Sequence, residues 1–383
     1  MKTTIFKILF LSAVVFSSCK KSGSPVVDQN ASDDIGNAGQ ESGQGGVMTG
    51  AEWNDLENWS FWNEVSSKSE YASKLTKWNM NTKNRISVEL VDSMGRPVVD
   101  AIVQLKKSGT VVFTSHTDNR GKAELWVNLF QSASAADYSQ YQINVNHGVK
   151  IIENIKSYSS GVNTIVMPSR NTLDDKVEIA FVVDATSSMG DELKYLKNEL
   201  YDVIARIKSN NVGSEVQTSS IFYRDEADDY VTKESNFTTE ESTTVNFIKN
   251  QEAAGGGDLP EAVHTALDKL VNSMTWSSSA KTRIAFLILD APPHYSSSIL
   301  SSLQRSIAKA NELGIKIIPI AASGVDKETE FLMRTFAIST NATYVFLTND
   351  SGIGKDHSVP TVGTYKVEYL NNLMVRLVNF YSK

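Results

Sequence analysis

A chain of 383 residues, 41% of them hydrophobic, is long enough for two or three domains with a sizeable core. Its formal net charge of −7, with no basic block along its length, speaks against nucleic acid as a partner. The single cysteine, Cys19, excludes an intrachain disulfide framework and any metal site built from paired cysteines.

Residues 1–19 read as an export signal peptide. Lys2 and Lys7 flank the start of a mostly apolar run over 8–16, too short to span a bilayer as a helix, and Ser17-Ser18-Cys19 follows. Small residues directly before a cysteine resemble a bacterial lipobox, with Phe16 standing where that pattern prefers Leu or another aliphatic residue. The resemblance implies that Cys19 is lipidated and becomes the mature N-terminus. The protein would then be lipid-anchored in the bacterial cell envelope, at the outer membrane or cell surface. Residues 20–50 are rich in Ser, Gly, Asn and Asp and nearly free of large apolar side chains. They bury too little to offset chain entropy, which predicts a flexible linker.

The segment 51–83 changes character, with Trp53, Trp59, Trp62 and Trp78 beside Leu56, Phe61 and Leu75. Trp59, Trp62 and Val65 are spaced three apart, so short helices that pack onto the next domain are expected. Such aromatics also suit carbohydrate, but core packing is the simpler use. Over 84–169 the apolar period becomes two: Ile86, Val88 and Leu90, then Ile102, Val103 and Leu105, alternate with polar residues. Turns such as Ser93-Met94-Gly95 and Asp118-Asn119-Arg120-Gly121 separate the runs, the pattern of a small β-sandwich. The runs VELVDSMGRPVVDAIVQL and TSHTDNRGKAELWV resemble the immunoglobulin-like (Ig-like) modules of exported bacterial proteins. His116 and His147 read as surface residues, and no constellation for chemistry stands out there.

From 171 to 383 strands and helices alternate, which predicts an α/β domain with a doubly wound, mainly parallel sheet. Strands are expected at 177–183, 216–223, 283–289, 315–320 and 344–347, with a short edge strand at 229–232. Leu193, Leu196, Leu200, Val203 and Ile207 form one helical stripe, Val263, Ala266, Leu267 and Leu270 another, and Leu370, Leu373, Met374, Leu377 and Phe380 a third.

Parallel strands bring their carboxyl ends to one edge, where open α/β sheets bind ligands. The first strand delivers Asp184, Thr186 and Ser188; the second runs into Arg224-Asp225-Glu226. A glycine-rich stretch, 255–257, leads to Asp258-Leu259-Pro260-Glu261, and the strand at 283–289 ends in Asp290-Ala291-Pro292-Pro293-His294. Carboxylates on four approaches to one edge repel one another, and a bound divalent cation is the economical remedy. Carboxylate and hydroxyl oxygens are hard ligands that suit Mg²⁺, Mn²⁺ or Ca²⁺. Plainer readings exist residue by residue. Thr186 or Ser188 would cap a helix, Asp258 and Glu261 would form a capping box around Pro260, and Asp225 and Asp290 would be solvated loop acids. Those readings would all have to coincide on one edge.

In order, DATSSMG, YRD, GGGDLPEAV and LILDAPPH resemble a von Willebrand factor A (vWA) domain with a metal-ion-dependent adhesion site (MIDAS). The resemblance implies that Asp184-x-Thr186-x-Ser188 stands for the family's DxSxS, with Asp290 acting on the metal through water. Many members place a threonine in the middle loop, whereas Asp258-Leu259-Pro260-Glu261 looks more like integrin β subunits. That likeness implies Glu261 as a direct ligand and leaves Asp258 open. Asp191 and Glu192 match the integrin β positions for an adjacent cation, although a solvated first helical turn explains them equally well. The function implied is cell adhesion or protein binding without catalysis. A divalent cation, Mg²⁺ first and Mn²⁺ or Ca²⁺ otherwise, would accept a carboxylate from a protein partner. The rival is a metal-dependent hydrolase or phosphotransferase with Asp184 as nucleophile and His294 as base. Haloacid-dehalogenase-type enzymes use DxDx[T/V], however, and Thr186 occupies the second aspartate's place; neither a GxSxG elbow nor a Walker A loop occurs. A metal-free two-domain scaffold is the third reading.

Overall fold

Regular structure begins sooner along the chain than composition suggests. The computed structural model describes residues 46–132, 134–354 and 356–383, so Cys19, the expected export signal and the expected linker as far as 45 lie outside the described residues. Within the supposed linker, Thr49 and Gly50 already belong to strand β1 (Thr49–Trp53). This corrects the boundary at 50. The tryptophan-rich segment forms two short helices as expected, α1 (Trp59–Ser67) and α2 (Ser69–Trp78).

Seven strands follow: β2 (Arg85–Val91), β3 (Ile102–Lys107), β4 (Thr110–His116), β5 (Lys122–Trp126), β6 (Tyr141–Val145), β7 (Lys150–Ile152) and β8 (Asn163–Val166). They make two sheets, ordered β5-β2-β8 and β4-β3-β6-β7. The alternation read in the sequence is the core pattern, since Ile86, Val88, Leu90, Val103, Leu105, Ile143 and Val145 are all buried.

The remaining elements are β9 (Asp174–Asp184), α3 (Gly190–Asn210), β10 (Glu215–Tyr223), β11 (Thr232–Thr238), α4 (Glu241–Lys249), α5 (Val263–Asn272), β12 (Ala280–Leu289), α6 (Ser297–Glu312), β13 (Ile315–Ala321), α7 (Lys327–Ser339), β14 (Tyr344–Leu347), β15 (Glu368–Tyr369) and α8 (Leu370–Ser382). They build an eight-stranded sheet ordered β11-β10-β9-β12-β13-β14-β1-β15. From β10 to β14 the strands run parallel. Antiparallel strands flank them: β11 on one side, longer and later than the edge strand expected at 229–232, and β1 on the other. Helix α3 packs on α8 and α4, while α5 packs on α6 and α7 on β13. Phe380, the last residue of the stripe expected on α8, is exposed. The central strand β9 is buried from Val177 to Asp184, as a strand covered on both faces must be.

The tryptophans join these parts. Trp62 stacks on Phe331 of α7 at 6.3 Å, and Trp59 lies 5.8 Å from Trp126 of β5. Arg334 of α7, with no solvent exposure, lies 4.9 Å from the Trp62 ring centre. Its Nε and Nη2 donate to the two Asp55 oxygens at 2.9 and 2.6 Å. His116 is not the surface residue expected. Its ring nitrogens contact Asp100 Oδ1 at 2.8 Å and the Glu312 carbonyl at 2.9 Å, and Arg283 of β12 donates to the same Asp100. The β-sandwich is thereby fastened to the far end of the sheet, since Arg283 lies near the start of β12 and Asp290 follows its end. His147 is exposed, as expected.

Candidate metal centre

Strands β9, β10 and β12 lie in register, with Tyr223 opposite Asp184 and Ile288 opposite Val183. Asp184, Asp225 and Asp290 therefore leave the sheet at one level. Asp184 is fully buried. The backbone turns at once, so that Thr186 donates to Asp184 Oδ1 from its amide at 2.8 Å and its hydroxyl at 2.7 Å. Thr186 and Ser188 hydroxyls are 3.1 Å apart, Ser188 facing solvent. Neither side chain caps α3, whose first turn lacks a side-chain cap.

The glycine-rich loop is tied across this turn. Ser187 donates from its amide and hydroxyl to the Gly255 carbonyl, at 3.2 and 2.7 Å, and the Ala254 amide donates to the Ala185 carbonyl at 3.0 Å. Gly255 and Gly256 have φ of +76° and +70°, a region that L side chains rarely adopt. A Cβ on Gly255 would also sit 2.2 Å from the Asp228 carboxylate. One on Gly256 would meet Glu261 Oε1 at 2.9 Å and Thr186 Cβ at 3.3 Å, which places Glu261 alongside Thr186. Glu261 is 3% exposed, and its amide donates to the Pro292 carbonyl at 2.9 Å. Helix α5 starts only at Val263, so Asp258 and Glu261 form no capping box.

Burial, then the neighbouring Asp290, pushes the Asp184 carboxyl up to about 7. Burial and the charges of Asp184, Asp225, Asp290 and Asp228 push Glu261 up to about 9. The Tyr223 phenol is raised too, by burial and by Asp184. Its hydroxyl lies beside Asp184 and eases the carboxylate's charge, yet among the described residues neither it nor Asp184 Oδ2 has a partner at hydrogen-bond geometry. Glu261 Oε2 is likewise buried without a partner among them. Orphaned acceptors of this kind are costly unless a cation meets them, and the surrounding donors are all hard oxygens. The residues fit a divalent cation.

The expected set divides in two. Asp184, Thr186, Ser188, Glu261 and Asp290 gather around the end of β9. Asp258 is exposed and falls in a separate group with Asp225 and His294, one ligand atom of each lying within 4.8 Å of the others. His294 Nε2 is 2.7 Å from Asp225 Oδ1, so the base postulated for catalysis is paired with a different aspartate from the postulated nucleophile. Asp191 is exposed, whereas Glu192 is buried and accepts hydrogen bonds from the Ser323 amide, at 3.2 Å, and the Ser323 hydroxyl. That contact ties α3 to the loop after β13. Sequence reasoning missed Asp228, which reads as one more solvated loop acid, and His264. The latter hides in the apolar stripe of α5 and pairs with Glu226 at 3.0 Å.

Residues 178–355 match the family model for the von Willebrand factor type A domain. This stretch is a vWA domain. It contains every metal-centre residue named above and most of the large sheet, to which β1, β15 and α8 are added from outside the matched range. Two curated proteins are similar to parts of the chain. An ariadne-like RING finger protein of Acanthamoeba polyphaga mimivirus is 34% identical over 131 residues, 34% of this chain and 12% of that protein. An alpha-protein kinase of Dictyostelium discoideum is 32% identical over 120 residues, 31% of this chain and 19% of that protein. The chain thus spans under a fifth of the length of each. Among solved structures, BatB from Bacteroides thetaiotaomicron is similar at a TM-score of 0.37 and 13% identity, over 53% of this chain and 96% of that one.

Proposed function

We propose that this protein is an exported lipoprotein whose vWA domain binds a protein partner through a divalent cation. The observation that carries the reading is the pair of buried, partnerless carboxylate oxygens, Asp184 Oδ2 and Glu261 Oε2, beside the Thr186 and Ser188 hydroxyls. Asp184, Thr186, Ser188 and Glu261 would hold the ion, with Asp290 supplying further negative charge from the end of β12. Hard oxygen donors favour Mg²⁺, with Mn²⁺ or Ca²⁺ as substitutes. When bound, the ion supplies a Lewis-acidic position for an Asp or Glu carboxylate of the partner. Leu259, 57% exposed in the loop that carries Glu261, offers apolar ground for specificity.

Anchoring belongs to the same proposal and rests on the lipobox-like Ser17-Ser18-Cys19. No described helix is long and apolar enough to cross a membrane, and the lipid on Cys19 would hold the protein at the outer membrane or cell surface. A non-catalytic role is favoured over the hydrolase because His294 is engaged with Asp225.

Pull-down from the cell envelope tests the reading. A partner should be retained with Mg²⁺ and lost with EDTA or with Asp184→Ala. Equal retention in all three conditions would overturn it and move the interaction to the β-sandwich or the tryptophan-rich helices.

A further inference from the structure

We infer that the cleft between helix α1 and the β-sandwich is a binding site for a short, uncharged saccharide. The cleft encloses about 470 Å³, a size usual for small-ligand sites, which run from about 300 to 1,000 Å³. Helix α1 supplies Trp59, Ser60 and Asn63, the start of β2 supplies Arg85, and the segments before β6 and β8 supply Tyr138 and Tyr158. None of these residues belongs to the metal centre.

The aromatic wall is fixed from beneath. The Tyr158 ring meets Trp59 edge-on at 5.8 Å, and Trp59 in turn lies against Trp126. The Arg85 guanidinium lies 3.9 Å from the Tyr158 ring centre and 4.6 Å from that of Trp59. Its Nε and Nη2 donate to the two Glu124 oxygens at 2.7 and 2.8 Å, and its Nη1 donates to the Leu56 carbonyl at 3.0 Å. The Ser87 hydroxyl donates to the same carboxylate. Rings held in this way have little freedom left to lose when a ligand arrives.

Charge and hydrogen-bonding capacity then set the ligand's class. Arg85 and Glu124 are both buried and neutralise each other, and at the rim the exposed Lys83 and Glu57 carry opposite charges. The lining thus selects for neither an anion nor a cation. The side-chain groups of Ser60, Asn63, Tyr138 and Tyr158 make no hydrogen bond to protein among the described residues, so they are open to a ligand. A purely apolar ligand would strip these groups of water and leave them unpaired, at a cost. A pyranose meets both demands, since its C–H faces lie on aromatic rings while its rim of hydroxyls donates and accepts. Trp62 and Trp78 of the same segment are fully buried, so the aromatic surplus divides between the core and this cleft.

The test is an array of neutral and acidic oligosaccharides probed with the full chain, followed by calorimetric titration with the strongest-bound saccharide of the array. A neutral saccharide should bind at one site per chain, equally in Mg²⁺, in EDTA and in Asp184→Ala. Failure of the metal centre therefore cannot pass for failure of the cleft. Tyr158→Ala should weaken binding at least about tenfold. Ser60→Trp, a change at an exposed position that fills the cleft, should abolish binding at an unaltered unfolding temperature, even if Tyr158→Ala disturbs the ring cluster. Four results would overturn the site: no neutral glycan bound, binding confined to acidic glycans, neutral binding that EDTA removes, or neutral binding that Ser60→Trp leaves intact.

Discussion

Metal-free protein should lose stability as pH rises, and Mg²⁺ should restore it most at the alkaline end. Asp184 titrates at about 7 when folded, against 3.8 when unfolded. A raised carboxyl pKa means that the folded state holds its proton more firmly. Its stabilising effect is complete below 3.8, shrinks as pH climbs, and is gone above about 7. At 1.36 kcal/mol per tenfold, the whole span is about 4 kcal/mol, and the part between about pH 5 and pH 7 is about 2.7 kcal/mol. For a folded unit of this size that is roughly 5 °C in unfolding temperature. Glu261, raised from 4.5 to about 9, adds a decline of its own over the same range and carries it on to higher pH. Mg²⁺ at about a hundred times its dissociation constant adds about 2.7 kcal/mol, less at acid pH where protons compete for the same oxygens. Differential scanning calorimetry from pH 5 to 8, in EDTA and in Mg²⁺, should show the two curves diverging with pH. Asp184→Asn, which cannot ionise, should roughly halve the slope of the EDTA curve between pH 5 and 7, Glu261 carrying the rest, and shrink the divergence. Equal slopes in wild type and Asp184→Asn, or a Mg²⁺ gain independent of pH, would refute the reasoning.

Glu261→Gln should weaken Mg²⁺ binding more than Asp258→Asn, since Glu261 is buried beside Thr186 and Asp258 is not; calorimetric titration decides the order. Asp55→Ala should destabilise the fold by about 3–5 kcal/mol in chemical denaturation, because it leaves the Arg334 guanidinium buried with Glu330 as its remaining acid partner. Cys19→Ala should release the protein from the membrane fraction, and mass analysis of the wild type should find an acylated Cys19.

The centre of the fold is legible because buried parallel strands must be continuously apolar, and VEIAFVV and RIAFLIL are. Its margins are not. TGAEW, the sequence of β1, has neither an apolar run nor a clean alternation; its place is set by pairing with β14 and β15. Glu199 of α3 reinforces that position by accepting hydrogen bonds from the amides of Gly46, Val47 and Met48. These are contacts across some 150 residues of chain, and no local pattern announces them. The polar edge strand TKESNFT is equally silent, because an edge strand with solvated faces needs no hydrophobic period. The tryptophans did announce burial, but not that Arg334 and Asp55 would be drawn in with them.

At the site, sequence reveals which loops meet but not which carboxylate serves which group. Asp258 and Glu261 are three residues apart and look interchangeable in a row of letters. The bond from the Glu261 amide to the Pro292 carbonyl brings that residue against the end of β12, and the open backbone of Gly256 leaves room for its carboxylate beside Thr186. Asp258 remains on the solvent side of the same loop, held towards Asp225 through Asp228. Glu261 feels the charge of Asp184, so a cation that meets both carboxylates relieves the repulsion between them. Glu261→Gln removes one of the two charges, and its Mg²⁺-induced rise in unfolding temperature should be smaller than the wild type's at pH 8, where the wild-type repulsion is greatest. An equal rise in both would place the ion away from Glu261.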